Sequence, residues 1–162
     1  MGFHNSWLMI SAASQTLAGL LAQGLSQIAP EHISFAHPRM WQKDKPGLNL
    51  YCYHVQETDL TQSSGCRWYD LTFLISATDY TNLGEQNLLS DALVMLSQYQ
   101  RLPDAVLDRT LQGHGSVQMR VFTQAPAESI LFWNVLCAPF QLALHVTLTV
   151  PYHLPSQAVL TS

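Results

Sequence analysis

The stretch that decides the fold is residues 141–151, QLALHVTLTVP. Side chains of an extended strand alternate between its two faces. One face of this stretch then consists of aliphatic residues, namely Leu142, Leu144, Val146, Leu148 and Val150. The other consists of small or polar residues, namely Gln141, Ala143, His145, Thr147 and Thr149. The stretch is predicted to be a sheet strand with one apolar face and one polar, uncharged face.

The composition of the whole chain extends this trait. Its 162 residues suffice for one domain with a sizeable core. Hydrophobic residues make up 48% and charged residues only 11%, where roughly 25% charged is usual. Gln, Ser, Thr and Asn fill the polar positions instead. The chain is therefore either a soluble domain with a neutral surface or a protein whose surface is buried between subunits, where charge is depleted.

Charge and cysteine content exclude several classes of protein. The net charge is −4 and Lys43 and Lys45 are the only lysines, so the basic surface of a nucleic-acid-binding protein is missing. Three irregularly spaced cysteines favour reduced thiols in the cytoplasm over a secreted disulfide framework. Residues 7–28 are apolar-rich, but glutamines interrupt them and no basic residue precedes them. Neither secretion nor membrane insertion is expected.

Three helices are predicted from apolar residues at three- and four-residue steps. The first covers residues 6–28, with Asn5 or Ser6 as its cap. The second begins at Asn82, where Glu85 completes a capping-box pattern, and runs to residue 99 with Arg101 in its last turn. The third begins at Pro126 and ends before Pro139, and its expected core stripe is Ile130, Trp133, Leu136 and Cys137.

Strands are predicted over residues 32–36, 48–57, 67–78, 117–121 and 141–151, with loops at 37–47 and 110–116. A polar turn between the second and third strands favours an antiparallel hairpin. In the 48–57 strand, Cys52 and His54 are expected to share a face. The fold class is α+β: a single domain, residues 1–152, with a mostly antiparallel sheet of about four to five strands and helices packed on one face. Residues 153–162 form a short polar C-terminal tail.

Candidate chemical sites are weak. Cys52, His54 and Cys66 are residue types that bind zinc, but their spacing matches no zinc module and a packed strand explains them equally well. His114 lies between two glycines, yet no carboxylate is placed to orient it. Ser63, Ser64 and Cys66 lie in a polar loop without a nucleophile motif. Phosphate-binding glycine motifs are absent. No catalytic, cofactor or metal site is assigned, and an enzyme is not expected.

Tryptophan residues are candidates for interface anchors. Trp68 is expected either to pack under a helix or to lie on an outward contact surface. Trp7 and Trp41 lie near helix and loop ends. Trp133 is expected in the core.

Several blocks, in this order and spacing, resemble the cap, or tail-terminator, family of phage-tail-like contractile injection systems. The blocks cover roughly residues 9–152 and read MISAA at 9–13, PGLNLYCYHV at 46–55, WYDLTFLISA at 68–77, EQNLLSDAL at 85–93, LP at 102–103, LFWN at 131–134 and PF at 139–140. None of them is catalytic. The specificity of the resemblance lies in the order and spacing of the blocks.

The resemblance implies a structural protein that forms a ring, expected to be a hexamer, on the last layers of sheath and inner tube and stops their growth. Its partners would be further copies of itself and the sheath and tube proteins, and its assembly would be cytoplasmic. The alternatives are a connector or baseplate adaptor of a similar particle, or a stand-alone interaction module. Family members often carry a longer C-terminal extension than this chain does.

Overall fold

The stretch at 141–151 belongs to a central strand of a six-stranded sheet. A computed structural model describes residues 8–58 and 66–153, with only the backbone of residue 153. The helices are α1 (Met9–Gly24), α2 (Asn82–Ser97) and α3 (Pro126–Leu136). The strands are β1 (Ile33–Ser34), β2 (Gly47–Glu57), β3 (Cys66–Thr78), β4 (Arg101–Leu102), β5 (Val117–Phe122) and β6 (Ala143–His153). No helix within these ranges is long and apolar enough to cross a membrane.

The sheet is mixed and has the strand order β1-β2-β3-β6-β5-β4. β1 runs parallel to β2, and every other neighbouring pair is antiparallel. The predicted hairpin of β2 and β3 is confirmed. The sheet has six strands instead of the four to five predicted. The strand that was missed is β4, whose two residues are too few to show an alternating pattern. Arg101, expected in the last turn of the second helix, begins this strand instead.

The aliphatic face of β6 lies in the main core, as predicted. Leu144, Val146, Leu148 and Val150 are all buried there with Phe73 of the neighbouring strand. Helices α1 and α2 cover this face of the sheet through Leu17, Leu21, Leu89 and Leu96. Leu142, which the alternation pattern assigned to the same face, precedes β6 and is exposed.

The opposite face of the sheet carries α3, so the expectation that helices pack on one face only is wrong. Trp133 and Leu136 of α3 are buried against Leu74 of β3, with Tyr51 and Ala143 beside them. These sheet residues alternate with the main-core residues of their strands. The second face thus has an apolar half of its own, which a third helix covers.

Helix ends differ from the predicted ones for local reasons. α1 ends at Gly24, and Leu25 and Ile28 are buried beyond it in non-helical chain. The proposed caps of this helix, Asn5 and Ser6, lie outside the described residues. α2 is capped by Thr81, whose Oγ1 accepts a hydrogen bond of 2.9 Å from the Gly84 amide. The cap is therefore one residue before the predicted start at Asn82.

The third helix begins at Pro126 as predicted, but its core stripe is narrower. Ile130 is exposed, and only Trp133 and Leu136 of the predicted stripe are buried. The helix ends before Pro139 because Cys137 adopts a left-handed conformation with φ of 54°. Cys137 is exposed there.

A bulge interrupts the alternation of β2. Cys52 pairs with Phe73 and His54 pairs with Thr72, which leaves Tyr53 as an extra residue. Cys52 packs against the main core, whereas His54 lies opposite Thr72 on the face that carries α3. The expectation that Cys52 and His54 share a face is wrong, because one inserted residue reverses the alternation.

Candidate assembly surfaces

The outward side of α3 is apolar. Leu131 is 66% exposed and Val135, one helical turn further, is 83% exposed, and Ile130 beside them is also exposed. Single exposed apolar residues are common, but a group of them on one element marks an interaction site. We call Ile130, Leu131 and Val135 the α3 outer face. Trp133 and Leu136 fix the helix from its inner side, so this face is held rigidly.

A second exposed stripe follows α2 on the other side of the sheet. Leu83 is 70% exposed and Val94, three turns later, is 62% exposed. Asn87 and Ser90 lie between them on the same side and are exposed and uncharged. We call these four residues the α2 outer face. A groove of about 430 Å³ runs beside it, between the end of α1 and α2, over the buried side chain of Leu88.

The edge of the sheet at β2 is the third exposed surface. β1 pairs with β2 only at Leu48 and Asn49. In the part of the chain that the structure describes, no strand covers the rest of this edge, and residues 54–57 are exposed. Such an edge can receive a strand of another chain through backbone hydrogen bonds.

The charged residues differ between the two sides of the sheet. The only charged residues of α1 and α2 are Glu85 and Asp91. Besides the acidic residues Asp70, which accepts a hydrogen bond from Thr149, and Glu128, the α3 side carries Arg101 and Arg120, which are exposed. Their position follows from the register, because Arg120 and Phe122 alternate with the main-core residues Met119 and Val121 of β5.

A buried polar cluster supports α3 from below. Tyr53 Oη lies 2.9 Å from His145 Nδ1, and the His145 ring stacks on Phe122 with 5.2 Å between centroids and meets Phe132 of α3 at 5.5 Å. Burial lowers the pKa of His145. Burial, with a smaller coulombic effect of Cys52, raises the pKa of Tyr53 to about 12. Both groups are therefore neutral at pH 7.

The proposed zinc ligands do not meet. Cys52 pairs with Phe73, seven residues along β3 from Cys66, which separates the two cysteines by about 23 Å at the rise of a strand. His54 lies on the opposite face of the sheet from Cys52. Burial raises the pKa of the Cys52 thiol, opposed by a hydrogen bond to the His54 backbone. Among the described residues, no three ligand side chains converge as a metal site requires.

The structure brings together Cys66 and His114, which the sequence pattern assigns to two different candidate sites. Cys66 Sγ lies 3.6 Å from His114 Nδ1. His114 reaches the strand because Gly113 and Gly115 adopt positive φ angles of 83° and 115°. A thiol beside an imidazole is one part of a nucleophilic site, which also needs donors for a developing oxyanion. Ser63 and Ser64, the other nucleophile candidates, lie outside the described residues.

Tryptophan positions only partly follow the expectations. Trp133 is in the core between α3 and the sheet, as predicted. Trp68 is buried, but neither under a helix nor on an outward surface. It lies beneath the loop at Gly115, where an added Cβ would be 3.4 Å from the indole. Trp41 is half-buried and has the Lys43 ammonium 5.6 Å from its ring, and Trp7 lies outside the described residues.

Sequence reasoning missed the α3 outer face, although a signal for it exists. Ile130, Leu131, Trp133, Val135 and Leu136 together surround the helix rather than forming one stripe. A helix that is apolar on all sides is buried on all sides. Since α3 is exposed on one side of the described chain, that side is a candidate contact surface for another protein.

Comparison with known proteins supplies the family context of these surfaces. The family model for the Pvc16 N-terminal domain matches residues 12–159. The fold is similar to the sheath/tube terminator of the PVC extracellular contractile injection system in its extended state, with a TM-score of 0.68, 18% sequence identity and coverage of 91% of this chain and 57% of that chain. It is also similar to the tube-terminating cap of the anti-feeding prophage, with a TM-score of 0.67, 16% sequence identity and coverage of 90% of this chain and 55% of that chain. No curated protein sequence matches significantly. The chain thus spans little more than half the length of these two structures.

Proposed function

The chain belongs to the Pvc16 N-terminal domain family, and from that premise we propose that it caps the sheath and inner tube of a contractile injection system. The observation that carries the proposal is the shared fold over at least 90% of this chain with two terminators of such particles. In this function the protein is structural, and no step of it requires catalysis. Assembly takes place in the cytoplasm, before the finished particle acts elsewhere.

The cap works as a ring of identical subunits, expected to be a hexamer, on the end of the tube. Two properties of the chain support an assembled state. Its charged content of 11% is low for a protein surrounded by water. Its helices also expose large apolar side chains, above all Val135 and Leu83. Subunit contacts in a ring would remove such side chains from water and stabilise the assembly by about 25 cal/mol per Å² of buried apolar area.

The partners of the ring are the sheath and tube subunits of the last layer. A terminator must cover surfaces that otherwise bind the next layer. The exposed β2 edge at residues 54–57 offers backbone donors and acceptors for this purpose. The part of the predicted 153–162 tail that follows β6, residues 154–162, is a second proposed contact.

The first experiment measures the mass of the purified protein by light scattering and its shape by negative-stain microscopy. We expect a sixfold ring with a central opening. A pull-down with sheath, tube and baseplate subunits follows, and the cap should capture sheath and tube. Capture of baseplate subunits alone would contradict the proposal and favour an adaptor. Capture of none of them, with a stable monomer, would favour a separate interaction module.

The role of the tail is tested by deleting residues 154–162. We expect weaker binding of sheath or of the neighbouring subunit and an unchanged fold, because the core strands end before the deletion. Circular dichroism checks the fold and the pull-down checks binding. Unchanged ring formation together with unchanged sheath capture would reject the role of the tail while leaving the cap function in place.

A further inference from the structure

The two exposed helix faces lie on opposite sides of the sheet. α1 and α2 pack on the face that holds Phe73 and Leu148, and α3 packs on the face that holds Leu74. A closed ring built from head-to-tail contacts requires two different surfaces on opposite sides of each subunit. An interface with twofold symmetry would instead use one surface against itself. The placement of the helices therefore fits the head-to-tail arrangement.

The two faces also match in length and character. α2 has 16 residues and α3 has 11, which correspond to about 24 Å and 16 Å at the rise of an α-helix. α3 can therefore lie along α2 over its full length. Leu131 and Val135 form a ridge, and the groove beside α2 provides a recess next to Val94. Neither outer face contains a charged residue, so their contact would desolvate no charge.

Charges around the two faces are complementary. Asp91, one turn after Asn87, borders the α2 outer face, whereas Glu85 lies on the inward side of the helix in line with Leu89; α2 has no basic residue. Arg101 and Arg120 lie on the α3 side, where Arg120 is 5.7 Å from the Phe122 ring. Glu128, in the first turn of α3, is the only charge of that helix. Opposite charges at the margin of an apolar contact select one partner and one orientation.

We infer that the occupant of the α2 outer face is the α3 outer face of a second copy of this chain, with Arg101 and Arg120 of one protomer towards Asp91 of the next. The inference rests on the proposed ring and specifies the surfaces that close it. Each protomer gives one face and receives the other, so the contact propagates in one direction around the ring until it closes.

Two double variants test the pairing. The first, Leu131→Glu with Val135→Glu, places acids opposite Asp91. The second, Leu83→Lys with Val94→Lys, places bases opposite Arg101 and Arg120. All four positions are more than 60% exposed, so both variants should fold, and circular dichroism melts verify this. Met40→Glu, a substitution at an exposed residue of the 37–47 loop, is the matched control.

Light scattering is measured for each protein alone, for an equimolar mixture of the two double variants, and again with sheath and tube subunits present. We expect the control to keep the wild-type mass, each double variant alone to fall to the monomer mass, and the mixture to recover an oligomer. Recovery of an oligomer is expected because two kinds of subunit contact alternate in the mixture. One joins two wild-type faces, and the other joins a glutamate-substituted α3 outer face to a lysine-substituted α2 outer face.

Several results would overturn the inference. If the lysine variant assembles like the wild type, the α2 outer face is not the receiving surface. If the mixture stays monomeric, the two faces do not pair. If both variants form rings but lose sheath or tube capture, these faces bind the particle and not a second copy. A wild-type protein that forms no ring and captures neither sheath nor tube would reject the proposed function itself.

Discussion

Replacing Gly47 by alanine should destabilise the protein through one steric contact. Gly47 is the first residue of β2 and is buried. A Cβ built on it overlaps the carbonyl oxygen of His32 and lies 3.3 Å from the carbonyl carbon. The obstacle is backbone, so a side-chain rotation cannot relieve it. The chain at His32, which leads into β1, must move away from β2.

The magnitude follows from two opposing effects. Overpacking of this kind costs typically 1–3 kcal/mol, and displacement of β1 weakens its short parallel pairing with Leu48 and Asn49. Alanine also restricts the unfolded chain, which contributes about 0.4–1 kcal/mol in the opposite direction. Because φ at Gly47 is not positive, no backbone strain is added. We expect a net loss of about 1–2 kcal/mol in the free energy of unfolding, at the middle of these ranges.

The matched control is Gly19→Ala. Gly19 lies within α1, and a Cβ added there meets nothing within 4 Å. Alanine at an exposed helical position should stabilise by about 0.5–1 kcal/mol. Urea unfolding followed by tryptophan fluorescence, at equal protein concentration, measures both variants. A Gly47→Ala protein as stable as the wild type would refute the steric argument, as would a loss of the same size in Gly19→Ala.

Three further predictions concern side chains around α3. Trp133→Ala should lower the free energy of unfolding by about 3–5 kcal/mol, since it removes the buried anchor of α3; a change below 1 kcal/mol in urea titrations would contradict its core role. Burial lowers the pKa of His145 below its ordinary value of 6.5, so as the pH falls the unfolded state binds a proton before the folded state does. The contribution of neutral His145 to the free energy of unfolding is therefore fully present above pH 6.5 and is lost as the pH falls below that value. His145→Gln should therefore lose less stability than the wild type between pH 7.5 and 5.5, and equal losses would exclude this source. In a Cys66→Ser background, the exposed Cys137 should react with a thiol reagent before Cys52, whose pKa burial raises; a fast phase that survives the addition of Cys137→Ser to that background would contradict this order.

The strands were predictable because their burial repeats every two residues. β6 and β3 are long and central, so the alternation of side chains repeats over many positions. α2 begins at Asn82 as predicted, but its capping residue was misplaced by one position because Thr81 and Asn82 are both good capping residues. β4 has only two residues and leaves no pattern. Local periodicity therefore finds long elements and misses short edge strands.

The packing side of α3 was not predictable from its own sequence. A helix with apolar residues all round gives no preferred face, and the second apolar half of the sheet depends on residues from three strands, such as Tyr51, Leu74 and Ala143. The contact of Cys66 with His114 has the same origin, since 48 residues separate them. Such features depend on tertiary packing, which neither periodicity nor spacing encodes.

The extra residue at Tyr53 has a consequence for how far the assembly can extend. Along the outer edge of β2, backbone donors and acceptors alternate regularly up to the bulge. The extra residue shifts this alternation by one position beyond the bulge. A straight incoming strand can therefore pair with the edge on only one side of the bulge. On the side beyond Tyr53, residues 54–57 are available for pairing. A partner can dock over a few residues, but a long ladder cannot be copied from subunit to subunit. The irregularity permits attachment over a short segment and opposes continued strand-to-strand polymerisation, and both properties agree with the proposed cap function.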